Sequence, residues 1–253
     1  MDMPEGAALF PIERQGFKIG IGVATGADAV FISNRLAEEV EPELVLPAIG
    51  ARDLRGDEML WRQKYLLNPY TAGGKLVDLS CYPKAKCYLE THREQLSRRH
   101  IARKSPGQWY RTIDRIDPFL QVLPKILLPD MSANTNVFVD EGKFYPLHNI
   151  YYVTGRSLAD LRLLAALLMS DFVRGQLNSV TNKMNGGFLR WQSQYLRKLL
   201  LPDIESIPAE TRQALLGSYD RKDRATINRL VTRLLEDTPL CMSNKRQVSA
   251  AQA

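Results

Sequence analysis

Hydrophobic spacing divides the chain into a first half of short apolar runs and a second half with helical periodicity. Short runs rich in β-branched and aromatic residues, bounded by Gly, Pro, Asn or Asp, are typical of strands. The strands predicted in this way cover residues 17–23, 30–33, 65–68, 119–128, 136–139 and 149–153. The sequence Asp140-Glu141-Gly142-Lys143 predicts a hairpin turn, because Gly142 can adopt a positive φ.

Helical spacing is clearest after residue 157, where Leu161, Leu164, Leu168 and Phe172 fall on one face. Ser157, with Asp160 three residues later, predicts the N-cap of this helix. The predicted helices cover residues 84–103, 158–178, 209–218 and 223–236. In the first of them the inward positions are Cys87, Tyr88, His92 and Leu96, and most of its arginines would face outward. The pattern predicts an α+β protein: a β-rich domain with a flanking basic helix, followed by a helical C-terminal part.

Charge changes this picture, because basic side chains predominate in the middle of the chain, in residues 84–125, which we call the basic segment. Residues 84–125 carry 10 basic and 4 acidic side chains, whereas residues 1–83 carry 8 basic and 12 acidic ones. Lys and Arg that face phosphates release counterions, which gives an affinity for nucleic acid that falls steeply with salt. A solvated helix face would have the same composition, so charge by itself leaves both interpretations open.

Composition excludes several other classes of protein. No apolar run is long enough to span a bilayer, and the opening sequence MDMPEGAALF is acidic, unlike a secretory leader. The three cysteines, Cys81, Cys87 and Cys241, lack metal-binding spacing, which indicates reduced thiols in a cytoplasmic protein. The three histidines, at 92, 100 and 148, also lack ligand spacing, so no metal site is expected.

Two short motifs resemble parts of cofactor or base sites. The segment from Gly20 to Gly26, GIGVATG, is similar to a dinucleotide loop, but Thr25 stands where that fingerprint needs Gly, and strand-like residues follow it. A structural turn is the favoured interpretation. Asn68-Pro69-Tyr70 is similar to the Asn/Asp-Pro-Pro-Tyr loop that holds a flipped adenine, but the second Pro is missing. The 67 residues before it are too few for a doubly wound cofactor-binding sheet, so a strand end is favoured.

A third motif allows an enzymatic alternative. Pro129-Asp130, followed by Glu141-Gly142-Lys143, has the pattern of a metal-dependent nuclease. In that chemistry Asp130 and Glu141 would hold one Mg²⁺ and Lys143 would polarise the water. The turn predicted at 140–143 argues against it, because a turn tip points its carboxylate away from the neighbouring strand.

The order of motifs along residues 9–204 resembles the target-recognition domain of Taq-like, gamma-class N6-adenine DNA methyltransferases and type II restriction–modification proteins. The segments that carry the resemblance are IGIGVATGADAVFIS, YLLNPY, YLETHREQLSRR, GQWYRTID, KILLPDMSANTNVFVDEGKFYPLHNIYYVT and, at the end, LLAALLMSDF, NKMNGGFLRWQ and YLRKLLLPDI. The resemblance implies sequence-specific recognition of double-stranded DNA for a methyltransferase catalytic domain or subunit. That partner would hold S-adenosylmethionine, and no cofactor is expected in this chain.

The candidate DNA-binding residues come from the basic segment and from a polar, Gly-containing loop. They are Arg98, Arg99, Arg103, Lys104, Arg111, Asn182, Lys183, Asn185, Arg190 and Gln192. The first five would hold phosphates, whereas Arg suits guanine and Asn or Gln suits adenine in the major groove. Trp109 is equally suited to a core position and to DNA contact. A protein-binding remnant of a restriction system, without DNA affinity, is a further alternative.

The same reasoning predicts how the chain is organised. Residues 9–204 would form the target-recognition domain, residues 205–240 would be C-terminal helices packed on it, and residues 241–253 would form a mobile tail.

Overall fold

A computed structural model describes residues 8–132, 137–180 and 189–236. The strands are β1 (Leu9–Pro11), β2 (Lys18–Ile21), β3 (Ile32–Ser33), β4 (Val45–Ile49), β5 (Leu54–Arg55), β6 (Glu58–Met59), β7 (Tyr65–Leu67), β8 (Lys125–Pro129), β9 (Met131–Ser132), β10 (Phe138–Asp140), β11 (Tyr145–Pro146), β12 (Ile150–Thr154), β13 (Leu189–Arg190) and β14 (Leu200–Pro202). The helices are α1 (Asp28–Phe31), α2 (Leu36–Glu39), α3 (Pro83–Thr91), α4 (Arg93–Ser97), α5 (His100–Lys104), α6 (Phe119–Val122), α7 (Leu158–Leu168), α8 (Asp171–Val180), α9 (Ser193–Leu196), α10 (Ala209–Asp220) and α11 (Arg224–Glu236).

Two four-stranded sheets organise the first half of the molecule. One is antiparallel throughout, with the strand order β10-β8-β12-β2, and pairs Val153 with both Ile126 and Ile19. The other has the order β11-β4-β7-β3, in which β11 and β4 run parallel. The α+β class predicted from the sequence is confirmed.

Side-chain alternation along β12 assigns the two faces of the antiparallel sheet to different cores. Val153 faces the helices α7, α8, α10 and α11, in a core that also contains Leu164 and the fully buried Trp191. Ile150 faces the other way and packs with Ile49 of the second sheet. Complete burial of a side chain such as Leu164 contributes about 2 kcal/mol through the hydrophobic effect. This alternation fixes the register, because a slip of one residue would exchange the two faces.

A further core lies beneath the second sheet and the basic segment. Phe31, Leu66 and Leu67 form its centre, and Leu89 and Leu96 pack against them from α3 and α4. Trp109 belongs to this core and is only 7% exposed, so the core alternative for Trp109 is the correct one.

The helix predicted over residues 84–103 is wrong as a single element. It is divided into α3, α4 and α5, because the backbone leaves the helical region at His92 and is extended at Arg99. Leu96 is buried as predicted, whereas Cys87 is exposed. The helix predicted over 158–178 is likewise two helices, and the hydroxyl of Ser170 donates to the carbonyl of Leu167 at the break.

Three other predicted elements differ from the structure. The strand expected over 30–33 begins inside α1, which contains Val30 and Phe31, and only Ile32 and Ser33 form β3. The strand expected over 119–128 begins as α6, whose first N–H, that of Phe119, donates to the Asp117 carboxylate. Gly142 has the predicted positive φ of 97°. The hairpin is nevertheless wrong, because β11 pairs with β4 instead of returning along β10.

Long-range contacts connect the ends of the predicted domain. β1 pairs with β14, which joins residues 9–11 to residues 200–202, and α10 and α11 pack against α7. The domain boundaries remain a prediction, and residues 241–253 lie outside the described residues. In the described part of the chain, no helix has the length and apolarity needed to cross a bilayer.

Candidate nucleic-acid interface

Arg99 is held inside the basic segment by hydrogen bonds to the backbone. Its guanidinium donates to the carbonyls of Leu96 (3.1 Å), Thr25 (3.1 Å), Trp109 (2.9 Å) and Arg111 (2.8 Å). Four of its five N–H groups are therefore used within the fold. Burial lowers the pKa of Arg99, but a guanidinium stays protonated at any physiological pH. The structure gives Arg99 a structural role, which leaves little of it for the predicted phosphate contact.

The other predicted phosphate-binding residues are accessible to solvent. Arg103 and Lys104 are exposed at the end of α5, and Arg98 is exposed directly after α4, where it pairs with Glu94 of that helix. Arg111 is half-buried, and its Nη1 donates to Oε1 of Gln108 at 3.3 Å. These four side chains belong to the surface formed by α4, α5 and the loop that follows α5.

Arg190 and Gln192 flank Trp191, which is buried in the core that the antiparallel sheet shares with α7, α8, α10 and α11. Nη2 of Arg190 donates to Oδ2 of Asp130 at 2.9 Å, and this ion pair raises the pKa of Arg190. Gln192 is half-buried, precedes α9 and accepts a hydrogen bond from Gln194. The remaining candidates Asn182, Lys183 and Asn185 lie outside the described residues.

The two groups of candidates therefore attach to different hydrophobic cores. Arg98, Arg103 and Lys104 extend from the core that contains Phe31, and Arg190 extends from the core that contains Trp191. The sequence order could not show this division, because it depends on which of the two four-stranded sheets each segment packs against.

Strand register contradicts the nuclease alternative. Asp130 follows the last residue of β8, whereas Asp140, which precedes Glu141, pairs with Lys125 at the first residue of the same strand. Asp130 and Glu141 are therefore about 20 Å apart along the strand direction, too far to share one Mg²⁺. Asp130 is instead paired with Arg190, and Lys143 is exposed. Among the described residues, no cluster of three or more His, Cys, Asp or Glu could hold a metal ion.

The glycines of the segment 20–26 are packed against protein instead of facing a ligand. A Cβ at Gly20 would lie 2.2 Å from the ring of Tyr152, and one at Gly22 would lie 2.1 Å from the carbonyl oxygen of Leu147. These glycines allow close approach between strands. The structural turn is therefore the correct interpretation, and the dinucleotide loop does not fit.

Asn68-Pro69-Tyr70 forms a buried turn directly after β7, as predicted. The side-chain amide of Asn68 donates to the carbonyl of Tyr70 and accepts from its N–H, both at 3.1 Å. The hydroxyl of Tyr70 lies 3.1 Å from Oγ1 of Thr112. Asn68 is 2% exposed and Tyr70 is 7% exposed, so these polar groups serve the fold.

The structure adds two cations that the sequence did not single out as site residues. Lys75 and Arg115 line a cleft together with Arg111. Lys75 belongs to the acidic first segment, so counting charges along the chain could not place it beside the basic segment. The signal that could have found Arg115 was its position within the basic segment.

The chain is similar to parts of several curated proteins. It is 43% identical over 223 residues to type II methyltransferase M.XhoI of Xanthomonas vasicola, which covers 88% of this chain and 41% of that protein. It is 43% identical over 231 residues to type II methyltransferase M.PaeR7I of Pseudomonas aeruginosa, covering 91% and 40%. With type II methyltransferase M.BstVI of Geobacillus stearothermophilus it shares 37% identity over 219 residues, covering 87% and 39%.

Solved structures share the fold at low sequence identity. The type IIL restriction–modification enzyme MmeI, in complex with DNA, matches 93% of this chain and 35% of its own, with a TM-score of 0.65 and 11% identity. The type IIG restriction endonuclease BpuSI matches 91% of this chain and 31% of its own, with a TM-score of 0.60 and 14% identity.

No protein-family model matches the chain. The homologues found are type II methyltransferases, and the structural neighbours are restriction–modification enzymes. The chain spans about two fifths of the length of the curated relatives, and about nine tenths of it is similar to that part of them.

Proposed function

We propose that this chain recognises a short DNA sequence on behalf of an adenine-N6 methyltransferase or restriction–modification enzyme. In this proposal a catalytic domain or subunit of the same system binds S-adenosylmethionine and transfers the methyl group. The chain is similar to about two fifths of the length of several type II methyltransferases, which supports the proposal that it works as one part of such an enzyme. The specificity for adenine rests on the resemblance to target-recognition domains.

The burial and hydrogen bonding of Asn68 and Tyr70 are the main support for placing recognition in this chain and catalysis in a partner. A loop that holds a flipped adenine must present its polar edge and its aromatic ring to an open pocket. Here the amide of Asn68 is bonded to the backbone of Tyr70, and both residues are buried. The motif of this chain most similar to an adenine-methyltransferase loop therefore serves as a turn, and this supports the proposal that a catalytic partner supplies the chemistry.

Recognition would combine two kinds of contact. Arg103, Lys104 and Arg111 would hold backbone phosphates without regard to sequence. Arg190 and Gln192 would read base edges, because a guanidinium fits guanine and a carboxamide fits adenine through paired hydrogen bonds. Asn182, Lys183 and Asn185 remain candidates for the same role.

Selection from a randomised duplex library tests this proposal. We expect the purified chain to enrich one short sequence, and Gln192→Ala to relax the preference at one position of it. Gln213→Ala, which removes an exposed glutamine from α10, is the matched control and should enrich the same sequence as the wild type. Binding without any enrichment contradicts the proposal. Absence of salt-dependent DNA affinity would favour the protein-binding alternative.

A further inference from the structure

A cleft of about 550 Å³ lies between the turn that follows Tyr70 and the loop that follows α5. Three cations line it: Lys75, Arg111 and Arg115. Its walls also include Gln108 and Tyr110, and no carboxylate is among its lining residues as the structure describes them. The cleft thus concentrates positive charge from two segments that are far apart in sequence.

Local sequence explains how the turn side of the cleft forms. The N–H of Thr71 donates to the carbonyl of Lys75, and the N–H of Gly74 donates to the carbonyl of Thr71, both at 2.8 Å. Gly74 has a φ of 78°, which favours glycine at this position. The turn closes on the bridge between Tyr70 and Leu76 and so fixes Lys75 at the edge of the cleft.

Arg115 is seated directly on this turn. A Cβ added at Gly74 would lie 2.4 Å from Nη1 and 2.8 Å from Cζ of Arg115, so any larger residue would displace the guanidinium. Within the described residues, the side chains of Lys75 and Arg115 have no hydrogen bond or ion pair. The guanidinium of Arg111 donates to the neutral side chain of Gln108. Three like charges therefore share one cleft, and the described part of the chain supplies no acidic partner for them.

We propose that this cleft binds the phosphodiester backbone of DNA, with Lys75 and Arg115 as phosphate-binding residues. A bound anion offsets the mutual repulsion of the three cations, and a guanidinium suits the geometry of phosphate oxygens. This inference rests on the proposed function and assigns its main phosphate contact to a site that the basic helices alone do not form.

The surroundings of the cleft favour a polymer over a small anion. Arg103 and Lys104 stand at the end of α5, which packs against the 3₁₀ helix Pro106–Gln108 at the cleft wall. Positive charge therefore continues from the cleft wall onto the neighbouring end of α5. A free nucleotide would need only the cleft, whereas a DNA strand carries phosphates at regular spacing past its edge.

The salt dependence of DNA binding tests this assignment. We expect the slope of log K against log salt to fall by about one for Lys75→Gln and for Arg115→Gln, on selected and scrambled duplexes alike. Each substitution should weaken binding about tenfold near 100 mM salt. Arg233→Gln removes one exposed charge from α11 and should leave the slope unchanged.

Two glycine variants separate the effect of the position of Arg115 on DNA binding from the effect of its charge. Gly74→Ala should displace Arg115 and reproduce part of the loss at constant net charge. Gly73→Ala, whose Cβ would meet only Oγ1 of Thr71 at 3.8 Å, should bind like the wild type. Circular dichroism confirms that both variants are folded before their affinities are compared.

The possible results separate failure of the cleft assignment from failure of the proposed function. Salt-dependent binding by the wild type with unchanged slopes in Lys75→Gln and Arg115→Gln overturns the cleft and leaves the proposed function standing. No binding by the wild type to any duplex overturns the proposed function, and the cleft assignment with it. Tighter binding of ATP than of duplex DNA, lost in Arg115→Gln, overturns the choice of a DNA backbone as the ligand.

Discussion

The guanidinium of Arg99 donates to the backbone carbonyl of Thr25 at 3.1 Å, across 74 residues of sequence. The same group holds the carbonyls of Trp109 and Arg111 and lies over the ring of Phe31. One side chain of the basic segment thus joins the turn after β2 to the loop that follows α5. Because Arg111 lines the cationic cleft, this clamp also positions one of its walls.

Replacement of Arg99 should therefore impair folding more than replacement of its neighbour. We expect Arg99→Gln to lower the free energy of unfolding by about 3 kcal/mol, because several carbonyls lose a charged donor. Arg98→Gln, which removes an exposed cation paired with Glu94, should cost less than about 0.5 kcal/mol. Urea denaturation of both variants provides the comparison. Equal stabilities of the two variants would contradict the structural role of the Arg99 hydrogen bonds.

Removal of one partner of the buried ion pair between Lys125 and Asp140 should strongly destabilise the fold. Nζ of Lys125 lies 2.6 Å from Oδ2 of Asp140, and both side chains are almost completely buried. Lys125→Met should lower the free energy of unfolding by about 3–5 kcal/mol, because it leaves a buried carboxylate without its cation.

A double-mutant cycle isolates this interaction. Lys125→Met combined with Asp140→Asn should be more stable than the sum of the single effects predicts, by at least about 1 kcal/mol. Additive losses in urea denaturation would show that the two side chains contribute independently.

Asp160 should make stability depend on pH in the acid range. Burial raises the pKa of Asp160, but hydrogen bonds from Ser157 and Arg156 outweigh it, so the pKa lies below its ordinary value of 3.8. The folded state therefore binds its proton less readily than the unfolded state, and the stabilisation is complete above the unfolded pKa. It is lost as pH falls through the lowered folded pKa.

Thermal unfolding of Asp160→Asn between pH 7 and pH 2 measures this contribution. The variant should be about 1 kcal/mol less stable than the wild type at pH 7, and the two should converge as pH falls through the lowered folded pKa of Asp160. Glu205→Gln, at a carboxylate that is 68% exposed, is the control and should change little. A difference that persists at pH 2 would refute the role of the ionised carboxylate.

Arg190 should contribute to sequence preference more than to general affinity. Arg190→Lys keeps the charge but loses the paired donors, so the selected duplex should bind about 10- to 100-fold more weakly. Scrambled duplex should bind as before. Arg229→Lys, a matched change at an exposed position of α11, should alter neither affinity. Equal weakening of both duplexes by Arg190→Lys would instead make it a phosphate contact.

The sequence predicted the elements whose pattern is local. Ser157 caps α7 through the N–H of Asp160 as expected, and α11 begins and ends near its predicted bounds. Side-chain periodicity and capping chemistry are properties of neighbouring residues, so they can be read without knowledge of the fold.

Elements that depend on distant partners were harder to predict. At the break, the side chain of Arg99 donates to the carbonyl of Thr25, which lies 74 residues away, so local periodicity could not show this contact. The partner of β11 is β4, far away in sequence, so Gly142 indicated a turn without showing where the chain continued. The candidate site has the same limitation. Lys75 and Arg115 meet only because the turn after Tyr70 packs against the loop beyond α5.

The ratio of dissociation constants for the selected and a scrambled duplex, measured for this chain across a range of salt concentrations, tests the central claim most directly. Both constants should rise with salt, while the selected duplex remains at least about 10³-fold tighter. A ratio near one at every salt concentration would mean that the chain holds DNA without reading its sequence, and would contradict the account.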